Sequence, residues 1–358
     1  MTKGCDVMEK KLICLILAAG MGKRMKSETP KVLHQVCGLS LCEWVLRAAA
    51  GAGAEENVLI IGHKASMIED AFGSRVLYAI QEEQKGTGHA VMCAKSYLEG
   101  KEGCVLILSG DAPLINENDL KATFDYHNQF DNCATVITAI VDDPSGYGRV
   151  VRNDGGDVVK IVEHKDANQQ ELDICEINSG MYIFNIPDLL HALDRLDNNN
   201  AQGEYYLTDT LEILIKSSRR VGAVNVDNSE SIKGINDRIQ LHEAEKIMRK
   251  KINNIHMQNG VTIIDSDSTY IEADVSIGAD TTIYPGTLIK KGSVIGSNVL
   301  IGPGCSITNS VIESGAEVIN SVMTAAKVGE NAHIGPFAYL RPNSMIGKNV
   351  KIGDFVEI

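Results

Sequence analysis

Positive charge is in short supply in this chain: 34 Lys and Arg stand against 47 Asp and Glu, a formal net charge of -13 with a pI near 5.2. That balance argues against broad electrostatic binding to nucleic acid or to anionic membranes, both of which need a basic face. Long apolar runs are scarce as well. The one near the start, "LICLILAAG", is too short to span a bilayer and has no small-residue cleavage site after it, so no membrane or export segment is expected. None of the nine cysteines forms a C-x-x-C arrangement and their number is odd, which signals neither a zinc site nor a disulfide framework. Buried, reduced thiols of a cytoplasmic protein are the expectation.

What is present is a globular composition, 44% hydrophobic and 23% charged over 358 residues, enough for two cored domains. Through about residue 235, β-rich runs ("KLICLIL", "NVLIIG", "RVLYAI", "CVLILSGD", "CATVITAIV") alternate with helical patterns such as "LCEWVLRAAAGAG" and "GHAVMCAKSYLEG". The alternation predicts an α/β fold, a doubly wound Rossmann-like sheet whose ligands bind beyond the carboxyl ends of the strands. Residues 237–259 read as a polar connecting helix with Ile239, Leu241, Ala244, Met248, Ile252 and Ile255 on one stripe and Gly260 as its stop.

Beyond the helix the period changes. Ile271, Ile277, Ile283, Ile289, Ile295, Ile301 and Ile307 recur every six residues, and Ile334, Leu340, Ile346, Ile352 and Ile358 resume the step. A six-residue period with Gly, Asp, Pro or Asn between aliphatics predicts a parallel β-helix, each hexapeptide being one flat face. The stretch between Ile307 and Ile334 is expected to hold an irregular turn or a protruding loop. The reading thus divides the chain into 1–236, a connecting helix 237–259, and a β-helix 260–358.

One site announces itself locally. In "LICLILAAGMGKRMKSETPKVLH" an apolar strand runs into Gly20 and Gly22 and then into Lys23, Arg24, Lys26 and Lys31, the local positive charge that a polyanionic ligand would need. A Walker loop is absent, and the dinucleotide fingerprint fails because Met25 stands at its third glycine. Gly20 and Gly22 would let backbone N–H groups approach phosphate oxygens. Arg24 can grip a pyrophosphate through two parallel hydrogen bonds, and Lys31 adds a second cation. Asp111 of "GDAP" follows the apolar run "CVLIL", a position that suits either a metal ligand or a turn residue.

The opening stretch resembles the entry motif of the sugar-nucleotide pyrophosphorylases. With "QEEQKGTGHA", "LSGDAPL", "SGYGRVV", "IVEHKDA", "EINSGMYIF", "NNNAQGEYYLTD" and "GIND", it makes eight phrases in order that resemble the bacterial bifunctional N-acetylglucosamine-1-phosphate uridylyltransferase/glucosamine-1-phosphate acetyltransferases. The likeness runs from about Lys11 onward, and the hexapeptide tail, which in these enzymes winds left-handed against the usual crossover rule, fits it. The ten residues before Lys11 have no counterpart, and Met8 is a candidate natural start.

The resemblance implies attack of a sugar-1-phosphate oxygen on the α-phosphate of UTP with release of pyrophosphate, giving UDP-N-acetylglucosamine for cell-wall synthesis. It implies Mg²⁺ held by Asp111 and Asn236. Arg24 would hold the leaving pyrophosphate and Lys31 the α-phosphate, as the two catalytic residues. Leu17, Ala18, Ala19, Gly20, Gln81, Gly86 and Thr87 would bind the nucleotide, Gln81 offering both a donor and an acceptor to the uracil edge. Gly148, Glu163 and Asn178 would meet the N-acetylglucosamine-1-phosphate. A cytoplasmic homotrimer assembled through the β-helix is implied too.

Two departures from the family stand out. Ser109 of "SGD" stands where other members of the family carry an aromatic, so the resemblance assigns no sugar contact there. The acetyltransferase motifs beyond "GDFVEI" are missing, with Arg341 of "LRP" as a remnant of that site, so a truncated β-helix without acetyl transfer is expected. Two competing readings remain: a pyrophosphorylase of another sugar or base specificity, and a non-catalytic assembly protein of the same two-domain plan. Retention of Arg24, Lys31, Asp111 and Asn236 speaks against the second.

Overall fold

The computed structural model describes residues 11–358, so the candidate start at Met8 lies outside the described residues. The chain divides into two compact units, one comprising residues up to 34 and 40–238, the other residues 35–39 and 239–358.

The first unit is built on a nine-stranded mixed sheet. Its strands are β1 (Leu12–Leu17), β2 (Glu56–Ile61), β3 (Leu77–Ile80), β4 (Cys104–Ser109), β5 (Ala134–Ile140), β6 (Arg149–Arg152), β7 (Val158–Val162), β8 (Glu176–Asn185) and β9 (Val221–Asn225). The order β9-β5-β8-β4-β1-β2-β3 places β1 inside the sheet, parallel to both β2 and β4. Near-continuous apolar runs are what a sheet covered on both faces requires. Leu12, Cys14 and Ile16 pack to one side with the helices Leu41–Gly51 and Glu117–Gln129, while Ile13 and Leu15 pack to the other with Thr87–Cys93 and Ile186–Leu193. The alternation of strands and helices does not disclose β8, which runs antiparallel between β4 and β5. Its pairing with β5 shifts register between Asn178 and Tyr182.

The helix Arg238–Gln258, whose first residue belongs to the first unit and the rest to the second, buries Ala244, Met248, Ile252, Asn253 and His256. This corrects the expected stripe, since Ile239 and Ile255 are exposed. The inward face rotates toward the helix end because the Asn253 amide donates to the carbonyls of Ser266 at 3.0 Å and Thr269 at 3.1 Å.

The residues from Thr262 on form two- and three-residue strands stacked into three parallel sheets of six, five and five strands, consistent with the left-handed β-helix of hexapeptide proteins. The rung residues Ile283, Ile289, Ile301 and Ile307 are wholly buried, Ile271 and Ile295 nearly so. The loop expected between Ile307 and Ile334 does not exist. Ile312, Val318, Met323 and Val328 continue the shaft, all but fully buried. Eighteen residues separate Ile289 from its partner Ile307, but only sixteen separate Ile307 from Met323. The two missing residues come out at the corners, one at each shortened face. A left-handed residue sits three positions after the rung on a six-residue face, as Asp280 and Asn298 do, and two positions after it at Asn309, Asn320 and Ala325. Asn and Asp tolerate that conformation best. Buried hydroxyls tie successive coils: Ser310 Oγ donates to Thr308 O and accepts from Ala326 N, and Ser321 Oγ does the same between Ile319 O and Ala338 N.

Candidate active site

The site grows from the carboxyl ends of β1 and β4, where Leu17 pairs with Ser109 and Gly110 N donates to Leu17 O at 3.0 Å. Asp111 leaves β4 there, beside the loop that begins at Ala18. The "GIND" segment is brought alongside by Ile235 N donating to Asp111 O at 2.8 Å. Gly234 lies so close that a Cβ on it would stand 3.1 Å from Asp111 Oδ1.

Three side chains meet at this point. Lys31 Nζ forms a tight ion pair with Asp111 Oδ2 and donates to Asn236 Oδ1 at 3.1 Å. Ser109 Oγ donates to the other carboxylate oxygen of Asp111 at 2.6 Å. Oxygens from residues 125 positions apart therefore converge on one positive charge, carried by the ammonium. One carboxylate and one amide oxygen suit a hard divalent cation that keeps most of its waters. Among the described residues no group of three or more His, Cys, Asp and Glu gathers for a metal. The residues thus fit Mg²⁺ bound mainly through a nucleotide's phosphates.

Lys31 is positioned by what surrounds it. Gly22 has a φ of +59°, and a Cβ there would stand 2.8 Å from the Cβ of Lys31. Of the two glycines expected to clear the way for phosphate, Gly20 does face open space, whereas Gly22 makes room for the lysine. Arg238 brackets the same loop, donating from Nε to Met25 O at 3.3 Å and from Nη1 to His34 Nδ1 at 3.2 Å. Burial and then the Arg238 charge push the His34 pKa down, which leaves the ring neutral to accept that bond.

A cleft of about 280 Å³ opens over the pair, and Leu17, Ala18, Ala19, Gly20, Lys31, Gln81, Gly86, Thr87 and Asp111 all line it. Gly86 has a φ of +106° and approaches the segment 204–208 closely, a Cβ on it standing 2.5 Å from Tyr205 O. Gly88 N donates to Tyr205 O at 2.8 Å and Leu207 N to Thr87 Oγ1 at 3.1 Å, so "KGTGHA" and "GEYYLTD" form one wall. Gln81 is buried, and its amide nitrogen bonds Gly86 O at 3.1 Å and His89 Nδ1 at 3.2 Å. His89 therefore accepts on Nδ1, carries its proton on Nε2 and fixes the Gln81 rotamer.

Arg24 is exposed on the short turn Lys23–Met25 and is not part of that cleft lining. The three sugar-directed residues are drawn together in part. Asn178 N donates to Gly148 O at 2.9 Å, and the Asn178 side chain bonds Tyr182 Oη at 2.7 Å and Gly180 N at 3.0 Å. Glu163 lines a second cleft of about 370 Å³ with Tyr206, Thr208 and Asp209. The segment 204–208 links the two clefts, Glu204 lining the first and Tyr206 the second. Burial, and then the carboxylate of Asp209, push the Glu163 pKa up. Burial first, then Glu212, Asp197 and Asp166, push that of Asp209 up to about 6. Arg341 belongs to the second unit, where its Nε donates to Glu357 Oε1 at 2.5 Å.

Sequence reasoning missed Gln84, which lines the first cleft and donates to Ala19 O at 3.4 Å, together with Glu204, the bond of Ser109 to Asp111, and Arg238. The first three sit inside quoted phrases. Nothing in the sequence marks Arg238, whose partners lie more than 200 positions away.

The nucleotidyl transferase family model matches residues 13–230, and a GMPPB C-terminal domain model matches 271–358. The bifunctional protein GlmU of Acetivibrio thermocellus is 55% identical over 347 residues, covering 97% of this chain and 75% of the relative. This chain belongs to the GlmU family. The GlmU proteins of Clostridium novyi and Clostridioides difficile are each 51% identical, over 345 and 344 residues, again covering 96% of this chain and 75% of theirs. Membership accounts for the first unit as a nucleotidyl transferase fold. No helix among the described residues is long and apolar enough to cross a membrane.

Proposed function

We propose that the chain transfers UMP from UTP to N-acetylglucosamine-1-phosphate, giving UDP-N-acetylglucosamine and pyrophosphate, with Mg²⁺ as the cofactor. The observation that carries this reading is the convergence of Asp111 and Asn236 oxygens on Lys31 at the floor of a cleft walled by the Leu17–Gly20 and Gly86–Thr87 loops. Both reactants are anionic, so charge neutralisation and alignment supply most of the catalysis.

Gln81 and the wall formed by Gly86 and Thr87 hold the base and ribose. Gly20, with nothing within 4 Å of a Cβ built on it, leaves the backbone open to phosphate. Lys31 steadies the α-phosphate as charge builds on it, and Arg24 closes on the leaving pyrophosphate from its exposed turn. Asp111 and Asn236 would hold Mg²⁺, which when bound neutralises phosphate charge and orients the nucleotide. The sugar's N-acetyl and hydroxyl groups meet Gly148, Glu163 and Asn178. A homotrimer through the β-helix and a cytoplasmic site of action complete the reading.

The test is pyrophosphate release with Mg²⁺ across UTP, dTTP and ATP against N-acetylglucosamine-1-phosphate, glucose-1-phosphate and glucosamine-1-phosphate. Turnover confined to UTP with N-acetylglucosamine-1-phosphate is the expected result. Turnover on another pair reassigns the specificity, and silence from folded protein overturns the reading. A mass of one chain by light scattering would refute the trimer.

A further inference from the structure

Lys31 stands where a cation bound by Asp111 and Asn236 would have to stand. Its ammonium contacts the one carboxylate and the one amide oxygen that converge there, and the pair is largely shielded, with side-chain exposures of 15% for Lys31 and 13% for Asp111. A divalent ion cannot share Asp111 Oδ2 with an ammonium at hydrogen-bonding distance, because like charges that close repel strongly in a partly desolvated site. Among the described residues Asp111 is the carboxylate that forms an ion pair with Lys31, and Ser109 donates to its remaining oxygen without adding charge.

We propose that Lys31 is a built-in competitor for the cation, so that the nucleotide-free protein resists a lone divalent ion and the ion enters with the nucleotide. The phosphates supply the anionic partner that draws the ammonium off Asp111, and the same movement delivers Lys31 to the phosphate. Gly22 makes the exchange local, since the absence of a Cβ leaves the Lys31 stem room to move. The proposal rests on Asp111 and Asn236 as the cation's ligands, and is independent of which base or sugar is used.

The test is Mn²⁺ binding to the nucleotide-free full chain, followed by loss of the free-ion electron paramagnetic resonance signal. Wild type and Lys31→Arg, which keep the charge, are expected to bind weakly. Lys31→Met and Lys31→Gln, which remove it, are expected to bind at least about tenfold tighter, and adding Asp111→Asn to Lys31→Met should abolish the gain. The neutral variants are checked for an intact fold by circular dichroism, and either one suffices. Mn²⁺ affinity that is unchanged or lower in the folded neutral variants overturns the competitor role. A gain that survives Asp111→Asn overturns it too, by placing the ion elsewhere. Silence in the substrate matrix together with the expected Mn²⁺ gain would instead reject only the assigned reaction.

Discussion

Gly22 and Lys31 are nine positions apart in sequence and in contact in the fold, with only 2.8 Å between a Cβ built on the glycine and the Cβ of the lysine. A φ of +59° also disfavours an alanine there. Gly22→Ala should therefore displace Lys31 before it harms the core. The expected outcome is a fall in kcat/KM on the order of a hundredfold, with the melting temperature lower by only about 2–6 °C. Activity loss matched by wholesale unfolding in calorimetry would mean the loop is structural instead.

Asp111→Asn keeps the shape of the side chain while removing the charge that pairs with Lys31 and would hold the cation. Pyrophosphate release should drop at least about a hundredfold. Raising Mg²⁺ should recover part of the loss. A variant within threefold of wild type at all Mg²⁺ concentrations would count against Asp111 as a ligand.

His89 holds Gln81 by a 3.2 Å bond without lining the cleft itself. Replacing it by alanine should raise KM for UTP by about three- to tenfold, the value of one lost hydrogen bond, and leave kcat nearly unchanged. A kcat effect larger than the KM effect would assign the imidazole a different role.

Asp209 gives a pH signature. Its pKa of about 6 lies above its ordinary value of 3.8, so the folded state binds the proton more tightly than the unfolded state. Stability from this group is present at low pH and is lost as pH rises through 6. Asp209→Asn should therefore raise the melting temperature above pH 7, by roughly 1–4 °C. That gain should fade between pH 6 and pH 4. A gain that instead grew on acidification would contradict the assignment.

In the shaft, Met323→Ala removes a wholly buried rung from one of the short coils. Melting of the second unit should be destabilised by about 2–5 kcal/mol. A change under 1 kcal/mol would show that the short coils collapse around the gap.

Where the sequence was legible, local chemistry was enough. The strand into Gly20 and the basic run that follows are contiguous, so "LILAAGMGKRM" can be read locally as a candidate phosphate site, and the six-residue rungs announced the shaft. What stayed hidden depends on distance or on a broken count. The pairing of Lys31 with Asn236 spans 205 positions. Arg238 reads as the polar start of a connecting helix until Met25 and His34 are seen beside it. The insertion of Glu176–Asn185 against the direction of its neighbour β4 leaves no trace in its own composition. Between Ile307 and Ile334 the aliphatic positions persist, but at steps of five and six, so a search by sixes finds a gap.

Those short steps have a consequence for how such a chain can vary. Because Asn309, Asn320 and Ala325 turn their corners one residue early while Ile312, Met323 and Val328 still reach the shaft, a single codon can be lost ahead of a corner with every later rung left in place. The same loss within a two-residue strand would turn a polar side chain inward. Length polymorphism in this domain should therefore be quantised and confined to corners, and two sequences differing by one residue per turn can share one continuous column.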